Sequence, residues 1–343
     1  MATRCQRCKE TASMKSLTSV WTRVALCIWA ATHAAPLAAA PLDDPQCIVP
    51  AKPGGGFDVT CRLAQAMFAN GSALKSPLRI NYLPGGIGVA AYHATVRERP
   101  ADPNIIVAFS EGSLLNLAQG RFGPYTGSEV RWVAAIGVDY GVVVVRQDSP
   151  FKNLKDLVSA LRSNLQGVVF GAGGTLGSQD WMKAALIAQA ASADHKGIRF
   201  VGFEGGGEAL EALLGGHVNV VTGDAAEVSG KLNAGAKLRL LAVLAEQRIP
   251  GHPNVPTARE QGYDVTWPIV RGFYTGPGVS DADYQTWVTA FSRAMAAPGF
   301  AAKRAEYGLY PMSMVGAELD AYVKRSLDNH RQLATRLKLP LKN

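Results

Sequence analysis

The chain has 343 residues, of which 48% are hydrophobic and 18% charged, and its formal net charge is +8. This length suits two domains, and the composition fits a globular protein. Five basic residues and one acid lie in residues 1–40, so the rest of the chain carries a charge of only +4. Its basic residues are scattered without a run, which argues against a nucleic-acid surface but is compatible with a small anionic ligand.

Residues 1–40 have the pattern of a secretory signal peptide. A charged segment ends at Arg23, the short apolar run 24–31 follows, and small residues continue to Ala40. The apolar run is too short to span a bilayer, so a membrane anchor is the weaker interpretation. We expect cleavage within residues 34–40 and therefore an exported protein.

The cysteines give no metal site, and their pairing is open. Cys5 and Cys8 have metal-like spacing, but no second pair accompanies them, and both lie in the leader with Cys27. An oxidising compartment permits Cys47 and Cys61 to pair. The strand that begins at Cys47 should run about 15 Å to the turn, at roughly 3.3 Å per residue, and Cys61 lies beyond that far end. Because a disulfide needs Cα atoms within about 7 Å, we favour two buried thiols.

The exported part opens on a strand, a glycine-rich turn and a helix. The strand pattern ends at Lys52, glycines occupy 54–56, and Asp58 stands where a helix N-cap belongs. Glycine allows a ligand to approach the backbone, and a helix N-terminus favours an anion. Lys52 adds a positive charge beside it. The turn is therefore either an anion site or an ordinary connection between a strand and a helix.

The same unit of strand, polar turn and helix recurs along the chain, for example as a polar turn at 111–116 before a short helix and as a helix predicted at 209–214. Further strands are predicted at 78–83, 104–110, 131–138, 141–146, 167–170, 198–203, 218–222 and 238–244. Residues 265–274 read as extended, and the chain is mostly helical from 281. Strands that alternate with helices predict a parallel or mixed α/β sheet, in which ligands bind beyond the carboxyl ends of the strands.

Motifs of common enzymes are missing from the sequence. It has neither G-x-S-x-G nor a P-loop, no H-x-x-x-H pair, and the glycines of 171–178 have the wrong spacing for a dinucleotide fingerprint. We therefore expect no catalytic residue, cofactor or metal. Asp58, Glu204, Glu208 and Asp224 precede predicted helices, where they either cap the helix or accept a hydrogen bond from a ligand hydroxyl.

Five segments carry a resemblance to a known family: 48–58, 84–88, 171–178, 215–224 and 254–262. Across residues 46–338 the chain resembles the substrate-binding proteins of tripartite tricarboxylate transporters, the Bug-type periplasmic receptors. The resemblance is closest to the tricarboxylate branch typified by citrate binding, on segments 177–182, 203–208 and 267–274.

The resemblance implies an α/β fold of the type II-like periplasmic binding proteins, with two lobes, each a mixed sheet flanked by helices. It places lobe 1 at 44–143 plus 268–343 and lobe 2 at 144–267, with the ligand cleft between them. It implies a periplasmic monomer that closes around citrate or a related tricarboxylate and delivers it to membrane permease subunits. A receptor of the same fold that signals to a sensor kinase, and an exported α/β enzyme acting on an acidic substrate, are the alternatives.

The resemblance also implies that turns 54–58 and 174–178 hold the ligand's carboxylate. The ligand-binding residues predicted in this way are Lys52, Gly55, Gly56, Phe57, Asp58, Gly86, Ser110, Ser113, Gly174, Thr175, Ser178, Gln179, Asp224 and Arg271. Lys52 and Arg271 depart from the family pattern and add positive charge. Our hypothesis is that they convert a mono- or dicarboxylate receptor into a tricarboxylate receptor; the alternative is that both face solvent.

Overall fold

The computed structural model describes residues 42–69 and 74–341. The predicted leader lies outside the described residues. Ten strands form one sheet: β1 Gln46–Val49, β2 Arg79–Tyr82, β3 Ile105–Ser110, β4 Arg131–Arg146, β5 Val169–Gly173, β6 Arg199–Phe203, β7 Val220–Val221, β8 Leu238–Leu244, β9 Pro268–Thr275 and β10 Met314–Val315.

Ten α-helices accompany these strands in the described residues. They are α1 Gly56–Phe68, α2 Val89–His93, α3 Glu111–Ala118, α4 Leu154–Ser163, α5 Gln179–Ala190, α6 Gly206–Leu214, α7 Ala225–Asn233, α8 Asp281–Ala296, α9 Phe300–Glu306 and α10 Gly316–Arg336. A π-helical turn, Ala94–Glu98, extends α2. Within the described ranges no helix is both long and apolar enough to cross a membrane.

The sheet contains two groups of parallel strands joined through antiparallel ones. Its order is β2-β1-β3-β9-β4-β7-β5-β6, with β8 and β10 also paired to β4. Strands β1, β2 and β3 run parallel, as do β5, β6 and β7. The mixed α/β sheet predicted from the sequence is therefore confirmed, while the proposed lobe boundaries remain a prediction.

Strand β4 is continuous, although the sequence predicted two strands with a break near Gly141. Up to Tyr140 it pairs with β9, and from Gly141 it pairs with β8. Gly141 does not turn the chain. A Cβ on Gly141 would lie 2.7 Å from Cδ of Lys183, so the glycine makes room for a side chain of α5. The two-strand prediction was wrong because this glycine serves packing.

Two helices begin earlier than the sequence predicted. We expected a polar turn at 111–116, but α3 starts at Glu111 because Ser110 and Ser113 form a reciprocal capping box. Helix α6 starts at Gly206 rather than 209. Helix α3 thus begins at the residue after β3, and α6 begins three residues after the end of β6.

The expectation of two free thiols was wrong, because Cys47 and Cys61 form a disulfide with Cα atoms 5.8 Å apart. Strand β1 ends at Val49, so the chain turns sooner than its apolar pattern indicated. Helix α1 then packs back against β1 and brings Cys61 beside Cys47; both residues are fully buried.

Candidate functional site

Five helices begin around one small cavity at the carboxyl ends of the parallel strands. The cavity, called here the inner cavity, has a volume of about 50 Å³. It is lined by residues from the starts of α1, α3, α5, α6 and α7, which follow β1, β3, β5, β6 and β7 in turn. Helix N-termini present unpaired N–H groups and a partial positive charge. The fold therefore directs five such ends towards the same space.

Buried charged residues line this cavity or are ion-paired to residues that do. Arg271 of β9 is 2% exposed and donates through Nη2 to Asp139 Oδ2 at 2.7 Å and Asp224 Oδ2 at 2.6 Å. Lys183 of α5, fully buried, lies 2.7 Å from Asp224 Oδ1 and 2.8 Å from Asp180 Oδ1. With Glu227, these residues form what we call the inner charge cluster, which has two cations and four acids: Arg271, Lys183, Asp139, Asp180, Asp224 and Glu227.

The acids of the cluster differ in their titration. Burial raises the pKa of Glu227 well above its ordinary value, and the charges of Asp224 and Asp180 raise it further. Burial likewise raises the pKa of Asp139 and of Asp180. Burial opposes ionisation of Asp224 too, but Lys183 and Arg271 outweigh it and hold its pKa below the ordinary value. Asp224 is therefore the acid held in its charged form, and among the four acids Glu227 is the one whose surroundings most favour the protonated form.

Two glycines allow the charged side chains to lie against helix N-termini. A Cβ on Gly56 would come within 2.1 Å of Arg271 Nη1, and one on Gly206 within 2.0 Å of Glu227 Oε2. Glu227 Oε1 accepts a hydrogen bond from the N–H of Gly56 at 2.5 Å. A carboxyl group of the protein itself thus occupies the N-terminus of α1.

Three buried polar atoms at the cavity lack a hydrogen-bond partner within residues 42–69 and 74–341: Arg271 Nε, Gln179 Oε1 and Glu227 Oε2. All three side chains line the inner cavity. A buried polar group without a partner costs about 1–3 kcal/mol. Water or a bound solute in the inner cavity would satisfy these atoms.

A larger space, called here the outer cavity, adjoins the inner one. It has a volume of about 720 Å³ and shares Ile87, Asn116, Ser178 and Glu204 with the inner cavity. Its lining includes apolar side chains and one arginine, Arg121, in the turn that follows α3. The two cavities together offer a polar seat and a roomier, partly apolar extension.

The structure brings most of the predicted ligand-binding residues to these cavities. Those that line the inner cavity are Gly55, Gly56, Phe57, Ser110, Ser178, Gln179, Asp224 and Arg271. The outer cavity is lined by Gly86, Gly174 and Thr175, and also by Ser178. Lys52, Asp58 and Ser113 line neither. That these residues contact a ligand stays a prediction.

The sequence predicted Asp58 as the N-cap of α1, but the structure shows that it does not cap this helix. The N-cap is Gly55, and Asp58 is the third residue of the helix. Its carboxylate accepts from the Gly54 N–H at 2.9 Å and also binds Arg62 and Tyr82. Asp58 therefore holds the turn in shape. Ser113 has a similar role, since its Oγ accepts the N–H of Ser110.

The two predicted additional cations both have carboxylate partners. Lys52 has a side chain 51% exposed and binds Glu208 Oε1 at 2.5 Å. Arg271 faces the inner cavity but is neutralised by Asp139 and Asp224. Neither brings the uncompensated positive charge that our tricarboxylate hypothesis assumed.

Sequence reasoning missed Asp139, Asp180, Lys183 and Glu227 in the cluster, and Arg121 in the outer cavity. Asp139 interrupts an otherwise apolar strand, and Lys183 stands within the apolar residues of α5. A charged residue inside a buried segment is a signal of a buried ion pair. Nothing comparable in the sequence marks Glu227, which lies in an ordinary first helical turn.

Known proteins share this fold and sequence pattern. Protein BugT of Bordetella pertussis is 28% identical over 220 residues, which is 64% of this chain and 65% of BugT. MatC of Rhodopseudomonas palustris, solved with bound malate, has a TM-score of 0.74 at 22% identity over 86% of this chain and 99% of MatC. An R. palustris protein solved with adipate has a TM-score of 0.76 at 19% identity over 88% of this chain and 99% of that one.

The sequence profile described as "Tripartite tricarboxylate transporter family receptor" matches residues 122–339, well over half of the chain. The solved structures, among them those of a solute-binding and of a periplasmic binding protein, show the fold. On this evidence the chain belongs to the tripartite tricarboxylate transporter receptor family, of the Bug type, whose members are solute-binding receptors and not enzymes.

Proposed function

We propose that this chain is a periplasmic receptor that captures a small solute with one or two carboxylates in the inner cavity and delivers it to the permease of a tripartite transporter. The observation that carries the proposal is the meeting of five helix N-termini at a cavity whose buried polar atoms lack partners. Because the family consists of solute-binding receptors, the alternative of an exported enzyme is set aside.

The electrostatics of the inner cavity favour a carboxylate. Each helix N-terminus is equivalent to about +0.5 elementary charge, and its field is strong where water is excluded. The Glu227 carboxyl already accepts the Gly56 N–H, which is the interaction that a ligand's carboxylate would make there. The raised pKa of Glu227 favours its protonated form, which would donate a hydrogen bond to an anion instead of repelling it.

Side-chain donors complete the site. The Oγ atoms of Ser110 and Ser178 each accept a backbone N–H, from Gly112 and from Trp181. Their own hydroxyl protons therefore remain for donation into the inner cavity. The mixture of backbone and hydroxyl donors suits a carboxylate that also carries a hydroxyl group.

Citrate remains an untested prediction, and the charges favour fewer carboxylates. Lys52 and Arg271 are paired, and the inner charge cluster has more acids than bases. A solute with three negative charges would meet the acidic groups without a free cation in the inner cavity. Two solved proteins of this fold hold malate and adipate, which are dicarboxylates.

A melting-shift and calorimetry screen of the protein without its leader tests the proposal. Mono-, di- and tricarboxylates are compared with their methyl esters, and the recovered solute is analysed by mass spectrometry. We expect acids with one or two carboxylates to raise the melting temperature, because only the folded state binds them, and to be recovered unchanged. A shift that esters produce equally well, or that no acid produces, would contradict the proposal.

A pair of variants tests whether the acid binds in the inner cavity. Gln179→Ala removes a side chain that lines the cavity, whereas Gln285→Ala removes an exposed one on α8. We expect weaker acid binding for Gln179→Ala and no change for Gln285→Ala. Equal affinity in both would place the ligand elsewhere.

Delivery and lobe closure need separate measurements. Loss of solute uptake in a deletion strain supports a transport role, whereas intact uptake with loss of a transcriptional response supports signalling to a sensor kinase. Closure predicts a smaller radius of gyration by X-ray scattering at saturating ligand. An unchanged radius would speak against it.

A further inference from the structure

Arg121 occupies an unusual position in the outer cavity. Its Nε donates to Gln119 Oε1 at 2.6 Å, its Nη1 to Thr175 Oγ1 at 3.0 Å, and its Nη2 to the carbonyl of Leu176. An arginine has five N–H donors, so two remain unused after these three bonds. The guanidinium is thus fixed in place while it keeps donors for another group.

Arg121 has no carboxylate within ion-pair distance in the part of the chain that the structure describes. It is also the one cationic side chain among the described residues that line the outer cavity. Burial lowers its pKa, as expected for a cation that is partly removed from water without a counter-charge. Arg271, the corresponding cation of the inner cavity, has two acid partners.

The two acids that line the outer cavity do not form an ion pair with Arg121. Glu208 binds Lys52 at 2.5 Å and accepts the N–H of Glu204. Glu204 itself is exposed. The charge of Arg121 is therefore uncompensated in a space that is open enough to admit a solute.

The rest of the outer cavity is partly apolar. Ile87, Val89, Leu176 and Phe203 line it together with Arg121, and Ser178 connects it with the inner cavity. A cavity that combines apolar side chains with one unpaired arginine, and that adjoins the inner cavity, matches a molecule with a hydrocarbon middle and an acid at each end. A planar arginine is well suited to a carboxylate, which it binds through two parallel hydrogen bonds.

We propose that Arg121 binds the second carboxylate of an extended dicarboxylate whose first carboxylate lies in the inner cavity. This inference rests on the proposed function, because it assumes an acid in the inner cavity. The methylene chain then packs against the apolar wall of the outer cavity. Arg121 becomes the residue that distinguishes dicarboxylates from monocarboxylates of equal length.

A purely structural role for Arg121 predicts a different pattern of affinities. Arg121 and Gln119 both bond turn 174–178, Gln119 through the Gly177 carbonyl at 2.9 Å. If Arg121 only held this turn, its loss would weaken every ligand alike. Binding of the second carboxylate instead predicts a loss confined to dicarboxylates.

Calorimetry with linear dicarboxylates of four to nine carbons and their monomethyl esters separates these roles. Wild-type protein, Arg121→Gln, Arg121→Lys and the exposed control Arg97→Gln are compared, with circular dichroism as the folding check. For Arg121→Gln we expect about 30-fold or greater loss of affinity for the best dicarboxylate and little change for its monoester. We expect Arg121→Lys to recover part of that loss, and Arg97→Gln to bind as wild type.

Two results would overturn the inference while leaving the proposed function intact. One is an equal loss for dicarboxylate and monoester in Arg121→Gln, which would make Arg121 a support of the turn. The other is unchanged dicarboxylate affinity in Arg121→Gln. Failure of the wild-type protein to bind any acid would instead refute the proposed function, and the inference with it.

Discussion

Replacing Arg271 by methionine tests whether the inner charge cluster holds the site together. The substitution keeps an apolar chain of similar length but removes the cation that lies between Asp139 and Asp224. Asp224 would retain Lys183 and Gln179 as donors. Asp139, which is fully buried, would retain only the backbone N–H groups of Tyr140 and Ala226.

The expected cost follows from that asymmetry. Removing one partner of a buried ion pair typically costs about 3–5 kcal/mol, because an uncompensated charge stays behind. Here most of the cost falls on Asp139, since Asp224 keeps Lys183. We therefore expect Arg271→Met to lower the free energy of unfolding by about 3–5 kcal/mol at pH 8.

The loss of stability in Arg271→Met should grow as the pH rises. Burial raises the pKa of Asp139, and Arg271 opposes that effect. Without Arg271 the folded-state pKa rises further above the unfolded value, so folding favours the protonated acid. The stability of the variant is then greatest at low pH and falls as pH rises. The difference from wild type should be smaller at pH 5 than at pH 8.

Urea unfolding at pH 5 and pH 8 measures both effects. The exposed pair of Lys52 and Glu208 provides the control, and we expect Lys52→Met to leave the unfolding midpoint nearly unchanged. Adding Asp139→Asn to Arg271→Met should recover part of the loss, since it removes the orphaned charge. If Arg271→Met were as stable as wild type at pH 8, the buried ion pairs would not be what secures this part of the fold.

Three further predictions concern neighbouring features. For Glu227→Gln we expect greater stability relative to wild type at pH 8 than at pH 5. Burial raises the pKa of Glu227, so the stability of the wild type is lost as pH rises through the folded-state pKa, whereas glutamine does not titrate. Parallel pH profiles of the two proteins in urea unfolding would contradict this. Reducing the bond between Cys47 and Cys61 should lower the free energy of unfolding by about 3 kcal/mol, measured with and without reductant, and a Cys47→Ala/Cys61→Ala protein should be insensitive to reductant. Gly206→Ala should destabilise the protein by about 1–3 kcal/mol, because the new Cβ would lie 2.0 Å from Glu227 Oε2. Gly230→Ala in α7, where the new Cβ has open space around it, should stabilise the protein slightly. Equal thermal midpoints of the two variants would refute the packing argument.

Local sequence patterns were sufficient for the order and type of most elements. The apolar run 238–244 is a strand with those bounds, and the chain from Asp281 is mostly helical as predicted. Glycine- and serine-rich turns after strands indicated the edge of the sheet at which we expected a ligand, and the structure places eight of the predicted residues around the inner cavity there. These features depend on residues a few positions apart, which is why sequence alone contains them.

Tertiary structure decided what depends on residues distant in the chain. Arg271 meets Asp139 across 132 positions, and Glu227 meets the Gly56 N–H across 171. Such pairings determine which charges are neutralised. Arg271, predicted to add positive charge for a ligand, is paired with two carboxylates of the protein itself. The disulfide and the continuous strand β4 likewise arise from packing between separate segments. The sequence contains the charged residues of this site, but it does not say which of them neutralise each other. That is a property of the folded chain, because an ion pair forms only where the fold brings its two members together.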